Sequence, residues 1–435
     1  MNFGQEEKDM KKTIYLMCFL CLIVFTDIIL LHSLYSKSFY EQKKIESILP
    51  EKEEKEKIRV LIKTDGFEQL THSQVKFQVS GGMYLQWEGG VREYSPDEEI
   101  CILPDDERFI NGTIQIKCKN TNDKISITSL KRGCGVPSYR GTMELFWTAE
   151  GIVIVNEVGL EQYLYAVVPS EMPASYETEA LKAQSVCARS YAYNQSNSYA
   201  YPEYEAHVDD STTFQVYGNS KEQERAIKAV KETEGEVLWY DGKVATAYYY
   251  STSCGKTTSI KAWGKETNTS NQYLKSIEIC NENGAYYEES LPWYRWKAMI
   301  PKEILSNLLE LNTQTEIGNL ESLSITKYGD GGIVQEIVAI GEKGKIIVET
   351  ENKIRKALGG RGYVIEKQDG TVISSTSLLP SAFFSIVEEE DNYILNGGGY
   401  GHGIGMSQNG ANEMAKDGKN YQEILRLFYS NVEIK

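Results

Sequence analysis

The sequence predicts a mixed α+β fold, β-rich with a few helices, preceded by one membrane-spanning helix. Three observations carry that expectation. Short runs of alternating apolar and polar residues recur from Ile58 to about Ile127, bounded by turn-forming residues. Helical periodicity follows in separate blocks, without the strand–helix–strand rhythm of a parallel sheet and without an internal repeat. An apolar run from Thr13 to Leu34, with Asp27 its one formal charge, is long enough to span a bilayer.

Taken in order, the N-terminus reads as a cytoplasmic tail over residues 1–12. Lys8, Lys11 and Lys12 set its side of the membrane. Residues 13–34 are the span, and no small-residue cleavage site follows, so the expectation is an uncleaved signal-anchor at the cell membrane. Residues 35–57 are a charged stalk, EQKKIESILPEKEEKEK at its core, which reads as a solvated spacer. Everything in 58–435 then lies outside the cytoplasm.

IRVLIKT (Ile58–Thr64) reads as a strand entering an Asp65–Gly66 turn, and VKFQVS, MYLQWEG and GTIQIKCK as further strands. LFWTAEGIVIVNEV reads as a hairpin turning near Glu150–Gly151. After Pro173, Ser175 is the expected N-cap of a helix with Glu177 and Glu179 in its first turn. That helix carries a small-residue stripe, Ala180, Ala183, Cys187 and Ser190, and a polar stripe, Lys182, Ser185 and Arg189. Ser220 to Gln223 fits a capping box for a helix running to about Glu234, with Gly235 as its stop. EVLWY-DG-KVATAYYY reads as a hairpin with a type I′ turn at Asp241–Gly242. Residues 302–311, 351–358 and 421–429 read as short helices.

The net charge of −16 argues against a nucleic-acid partner, whereas 29 Tyr and 6 Trp suit neutral glycans. Of the eight cysteines, Cys18 and Cys21 sit in the apolar run. Among the other six, Cys101, Cys118 and Cys134 cluster and are candidates for one bridge with one thiol left over, while Cys187 reads as a small buried apolar residue. STSCGKTT is not a phosphate-binding loop, because Tyr250 stands where the required glycine would be. GGGYGHGIG (Gly397–Gly405) reads as a permissive tight loop that brings His402 close to something.

Four segments together resemble the family of stage II sporulation protein D and the amidase enhancer LytB. They are VVPSEMPASYETEALKAQSVCARSYAY (Val167–Tyr193), DDSTTFQVYG (Asp209–Gly218), AYYYSTSCGKTTS (Ala247–Ser259) with Trp263 and QYLKSI after it, and GGGYGHGIGMSQNGANEMAKDG (Gly397–Gly418). The resemblance covers roughly 58–435, with a β insertion near 75–140 that is expected to meet a protein partner. It implies helices arranged around an active-site cleft and a peptidoglycan lytic transglycosylase. Such an enzyme cleaves MurNAc–GlcNAc bonds of peptide-free glycan strands to leave 1,6-anhydro-MurNAc ends during sporulation engulfment. The implied partners are peptidoglycan, a cell-wall amidase and a membrane scaffold. The alternative it leaves open is a non-catalytic enhancer of an N-acetylmuramoyl-L-alanine amidase, or a glycan-binding module.

By the same resemblance Glu171 is the catalytic acid. Its neighbours Val167, Val168, Pro169, Met172, Pro173 and Tyr176 independently favour a protonated carboxyl. A lytic enzyme needs only one such group, whereas an ordinary glycosidase needs a second carboxylate, and Glu171 has no near twin in sequence. Lys182, Gln184, Arg189, Tyr191, Gln215, Tyr217, Ser251, Ser253, His402, Ser407 and Gln408 occupy motif positions and are expected to contact substrate, with Lys182 and Arg189 as partners for the lactyl carboxylate. His402 is expected to bond the sugar or to assist Glu171. Some family members hold zinc with a His and two Cys in the second segment. Here Asp209 and Phe214 replace the cysteines, leaving only an Asp209–His207 pair, so no cofactor or metal is expected.

Overall fold

The computed structural model describes residues 56–110 and 112–435, so the segments expected to be the tail, the anchor and nearly all of the stalk lie outside the described residues. Within them the fold is α+β and strand-rich, with seven α-helices. None of these helices is long and apolar enough to cross a membrane.

The largest sheet has seven strands in the order Val208–Asp209, Lys57–Ile62, Gly151–Gly159, Thr142–Thr148, Ile114–Cys118, Met83–Trp87 and Gly90–Tyr94. All pairs are antiparallel except Val208–Asp209 with Lys57–Ile62. Ile58, Val60 and Ile62 face the main core, as alternation predicts, but Leu61 on the other face is also covered, by Val153, Val155 and Ala206. The strands of the 75–140 region do not stand apart. Three of them extend this sheet, and four short ones form a second sheet in the order Ile100–Ile102, Val75–Gln78, Ile125–Ile127 and Ser138–Tyr139. Their inward residues belong to the same continuous core as the helices.

Helix α1 (Leu160–Glu171) leaves the end of strand Gly151–Gly159 without a loop and carries Pro169 in its last turn. A break of two turns' worth of irregular chain leads to α2 (Thr178–Gln195), whose stripe of Ala180, Ala183, Cys187 and Ser190 is wholly buried. Small side chains allow α2 to be the central helix, packed by α1, α3 (Glu224–Glu232), α6 (Gln408–Lys416) and α7 (Tyr421–Phe428). Helices α4 (Lys302–Thr313) and α5 (Glu351–Leu358) sit by a C-terminal five-stranded sheet and a three-stranded meander.

Several expectations are corrected. The N-cap of α2 is Glu177, not Ser175, and it has no side-chain cap; its backbone N–H goes instead to Asn412 Oδ1 at 2.9 Å. The Ser220 capping box does not form, since α3 starts at Glu224 and Ser220 N–H is drawn to Ser170 Oγ. All six cysteines among the described residues are free, so Cys101, Cys118 and Cys134 share no bridge. The Asp241–Gly242 hairpin is as expected, with both residues at positive φ.

Candidate active site

The end of α1 brings Glu171 to the place where all four motif segments meet. Its Oε1 accepts the Val216 N–H at 2.6 Å, and its backbone carbonyl accepts Gln408 Nε2 at 3.1 Å. Gln215, beside Val216, donates Nε2 to the Tyr249 hydroxyl at 2.8 Å and accepts from Tyr163. Tyr249–Tyr250 pairs in parallel with Met406–Ser407, which locks the third segment to the fourth. Tyr176 closes the ring by donating its hydroxyl to Asn409 Oδ1 at 2.6 Å, while Asn409 Nδ2 holds Ser251 O and Thr252 Oγ1.

Burial pushes the Glu171 carboxyl up to about 7, opposed by the single Val216 N–H. Its position at the C-terminal end of α1, among carbonyls rather than N–H groups, disfavours negative charge further. Tyr163, Tyr191 and Tyr249 flank it: their hydroxyls are raised first by burial, and the Glu171 charge adds to each. Glu171 as a residue is half-buried, and its carboxyl is dehydrated. Gln184 lies behind, fully buried, with its Oε1 3.4 Å from Gln408 Nε2 and its own Nε2 without a partner.

A second carboxyl that the sequence did not disclose stands nearby. Glu288 is 1% exposed. It accepts from the Ser253 N–H at 2.9 Å, from the Ser253 hydroxyl, and from the Ser407 hydroxyl at 2.7 Å. Burial raises it to about 7 despite those donors. Glu288 therefore pins the third segment to the N-cap of α6; it is closed to solvent and makes no hydrogen bond to Glu171. No motif surrounds it, and Glu289 beside it offers the same letter, so sequence alone gave no signal.

The remaining expected residues divide. Ser251, Ser253, Ser407 and Gln408 frame the site through the bonds above. His402 is fixed by two backbone contacts: Nδ1 accepts the Ile404 N–H at 3.1 Å, so Nε2 carries the proton and donates to Tyr249 O at 2.9 Å. Burial drives its pKa to about 3, which leaves a neutral ring with no free nitrogen for proton transfer. Three residues have other partners. Lys182 bridges Glu179 at 3.0 Å and Glu232 at 2.9 Å. Arg189 is 1% exposed, and its guanidinium is held by Glu161 and by the Val230 and Glu236 carbonyls. Tyr217 is buried in the core, its ring tilted against those of Tyr139 and Tyr163 and its hydroxyl donating to Asn156 Oδ1.

The residues of the second segment do not fit a zinc ion. Asp209 spends its oxygens on the Tyr201 hydroxyl and on Ser211, and His207 Nδ1 accepts the Arg59 N–H while its ring stacks on Tyr199. Phe214 packs on the core. Among the described residues no group of three or more His, Cys, Asp or Glu is placed to hold a metal.

Comparison with known proteins settles the family. A profile described as stage II sporulation protein (SpoIID) matches residues 148–240, and one described only as a domain of unknown function matches 247–405. Stage II sporulation protein D of Bacillus amyloliquefaciens is 31% identical over 297 residues, 64% of this chain and 75% of that protein. The chain belongs to the stage II sporulation protein D family. An uncharacterized protein of Brachyspira hyodysenteriae is 30% identical over 302 residues, 68% of this chain and 72% of its own. The amidase enhancer of Bacillus subtilis (strain 168) is 29% identical over 287 residues, 61% of this chain but only 39% of that protein. The first SpoIID segment thus holds Glu171, and the matched region ends at Tyr240, so Glu288, His402 and Gln408 reach the site from beyond it.

Proposed function

We propose that this SpoIID-family chain is a lytic transglycosylase of peptide-free peptidoglycan strands. The observation that carries the reading is the state of Glu171: a carboxyl pushed to about 7 by burial, held by the Val216 N–H where the motif segments meet, while the Glu288 carboxyl is spent on Ser253 and Ser407. One such acid suffices for an intramolecular reaction. Glu171 gives its proton to the glycosidic oxygen as the C1–O bond breaks. The C6 hydroxyl of the same MurNAc attacks C1, and its proton returns to Glu171, so the 1,6-anhydro end forms without water. The Val216 N–H steadies the carboxylate that exists between the two transfers.

By the sequence expectations, one N-terminal helix anchors the chain in the cell membrane with the described region outside, where an amidase strips stem peptides and a scaffold protein holds the machinery. The stretch near 75–140 offers a face for such a partner. A second reading has one specific support: the amidase enhancer is similar over 61% of this chain. In that case the chain grips glycan and stimulates an amidase without cutting.

The test is a digest of amidase-treated peptidoglycan by the full chain, with sugar ends read by mass spectrometry. The expected outcome is new 1,6-anhydro ends, reduced by about 10²–10⁴-fold in Glu171→Gln. Reducing ends instead would mean hydrolysis. No cleavage alongside a working control enzyme, with amidase stimulation retained in Glu171→Gln, would favour the enhancer.

A further inference from the structure

We infer that a cationic groove on the C-terminal sheet is a second glycan-binding subsite, one that reads the carboxylate of MurNAc; the inference rests on the reading of the substrate just given. The groove encloses about 810 Å³ between Cys254 and the strands Trp296–Pro301, Val364–Lys367 and Asn392–Gly397. In a chain of net charge −16, its walls carry Lys256, Arg295, Lys297 and Lys367 against a single acid, Glu366. Of these cations only Lys256 has an acidic partner among the described residues, Glu278 at 3.1 Å. The Lys297 side chain stands exposed on the strand with no hydrogen bond or ion pair among the described residues, although Glu366 is its cross-strand neighbour. Arg295 gives Nη1 to two backbone carbonyls, Cys254 O and Tyr294 O, and its Cζ sits over the Tyr294 ring, 3.9 Å from the centroid. A guanidinium oriented by carbonyls and an aromatic face, with no carboxylate of its own, is prepared for an anionic ligand.

The rest of the groove suits a sugar. Its floor is apolar, with Trp296, Phe383 and Phe384 all nearly buried. At its rim Lys367 Nζ lies 5.0 Å from the Trp293 ring, which in turn sits 4.7 Å from Tyr400. Tyr400 is 40% exposed and is held by paired backbone bonds to Thr252. The glycine loop explains this placement. Gly399 and Gly401 have φ of 81° and 120°, and a Cβ at Gly401 would come within 2.7 Å of Tyr250. The loop can therefore turn His402 inward and Tyr400 outward within three residues. Aromatic platforms with cations beside them fit sugar rings that carry one carboxylate per disaccharide, which is the repeat of a peptide-free strand. The groove is tied to the reacting centre through Cys254, which follows Ser253 on the Glu288 pin.

The test measures affinity of the full chain carrying Glu171→Gln, which removes turnover, for three probes: amidase-stripped glycan strands, N-acetylglucosamine oligomers of equal length, and poly(glycerol phosphate). The expected result is tighter binding of the stripped strands than of the uncharged oligomers. Lys297→Glu and Lys367→Gln should weaken the former about tenfold and leave the latter unchanged, while Lys345→Glu, on a distant hairpin, changes neither. Unchanged affinity in both groove variants, with wild type still forming anhydro ends, would overturn the subsite and leave the proposed reaction standing. Charge-dependent strand binding with no anhydro ends from wild type would do the reverse. Poly(glycerol phosphate) binding more tightly than the strands, and displacing them, would also overturn the assignment.

Discussion

At the scale of single residues, the chemistry turns on two carboxyls raised to about 7 for the same cause and used differently. Glu171 must be protonated to act, so cleavage should be flat below about pH 7 and fall about tenfold per unit above it. A profile rising through pH 7 to 9 would remove Glu171 as the acid. Glu288 is buried and carries a stability effect instead. Its folded pKa lies above its ordinary value of 4.5, so the protein favours the neutral form. The stability that this provides is full below about pH 4.5 and is lost as pH rises through about 7, an effect of order 3 kcal/mol at most. Glu288→Gln removes the ionisation. Its melting temperature relative to wild type should therefore climb between pH 4.5 and 7 and level off above. A difference that stays constant across that range would mean that the carboxyl is not dehydrated as described. Glu171 was legible in the sequence because a distinctive string surrounds it. Glu288 was not, because burial is a property of the packed chain and AYYEESL carries no periodic cue to it.

At the scale of elements, tertiary contacts override the local signals that sequence reading depends on. Helix α1 escaped notice because Pro169 sits in its last turn, where it ends a helix without preventing one. Ser175 has the right chemistry for an N-cap, yet α2 begins beyond it, with Asn412 of α6 accepting the N–H of the N-cap Glu177 from across the site. The polar stripe of α2 is periodic as expected, and its two cations meet acids of the neighbouring helices and of α2 itself. Lys182 and Arg189 are instead the ties that join α2 to α1 and α3. Replacing Arg189 by Met should cost about 3 kcal/mol, since Glu161 would lose its partner in a largely buried setting. Strand affinity of the folded fraction should stay unchanged. Weaker binding with an unchanged melting temperature would return Arg189 to the substrate.

At the scale of the whole molecule, the strand-rich N-terminal part and the helical layer are one packing unit. The alternation that revealed the strands at 75–140 could show which side chains turn inward, but not what they meet. The structure shows Cys118, on a strand of that region, and Cys187, on α2, within the same contiguous core. Burial raises both thiols to about 12, so neither should react while its surroundings stay packed. Cys101 is exposed and should label at once. If the core is truly shared, titration with denaturant should expose Cys118 and Cys187 to an alkylating reagent in a single transition with a common midpoint, because losing either half strips apolar cover from the other. Labelling of Cys118 at a clearly lower denaturant concentration than Cys187 would instead mark residues 75–140 as a module that melts alone. The measurement thereby also decides how the region can serve a partner. A face built on the common core is presented rigidly, in fixed relation to Glu171, whereas a module that opens independently would pass no geometry on to the site.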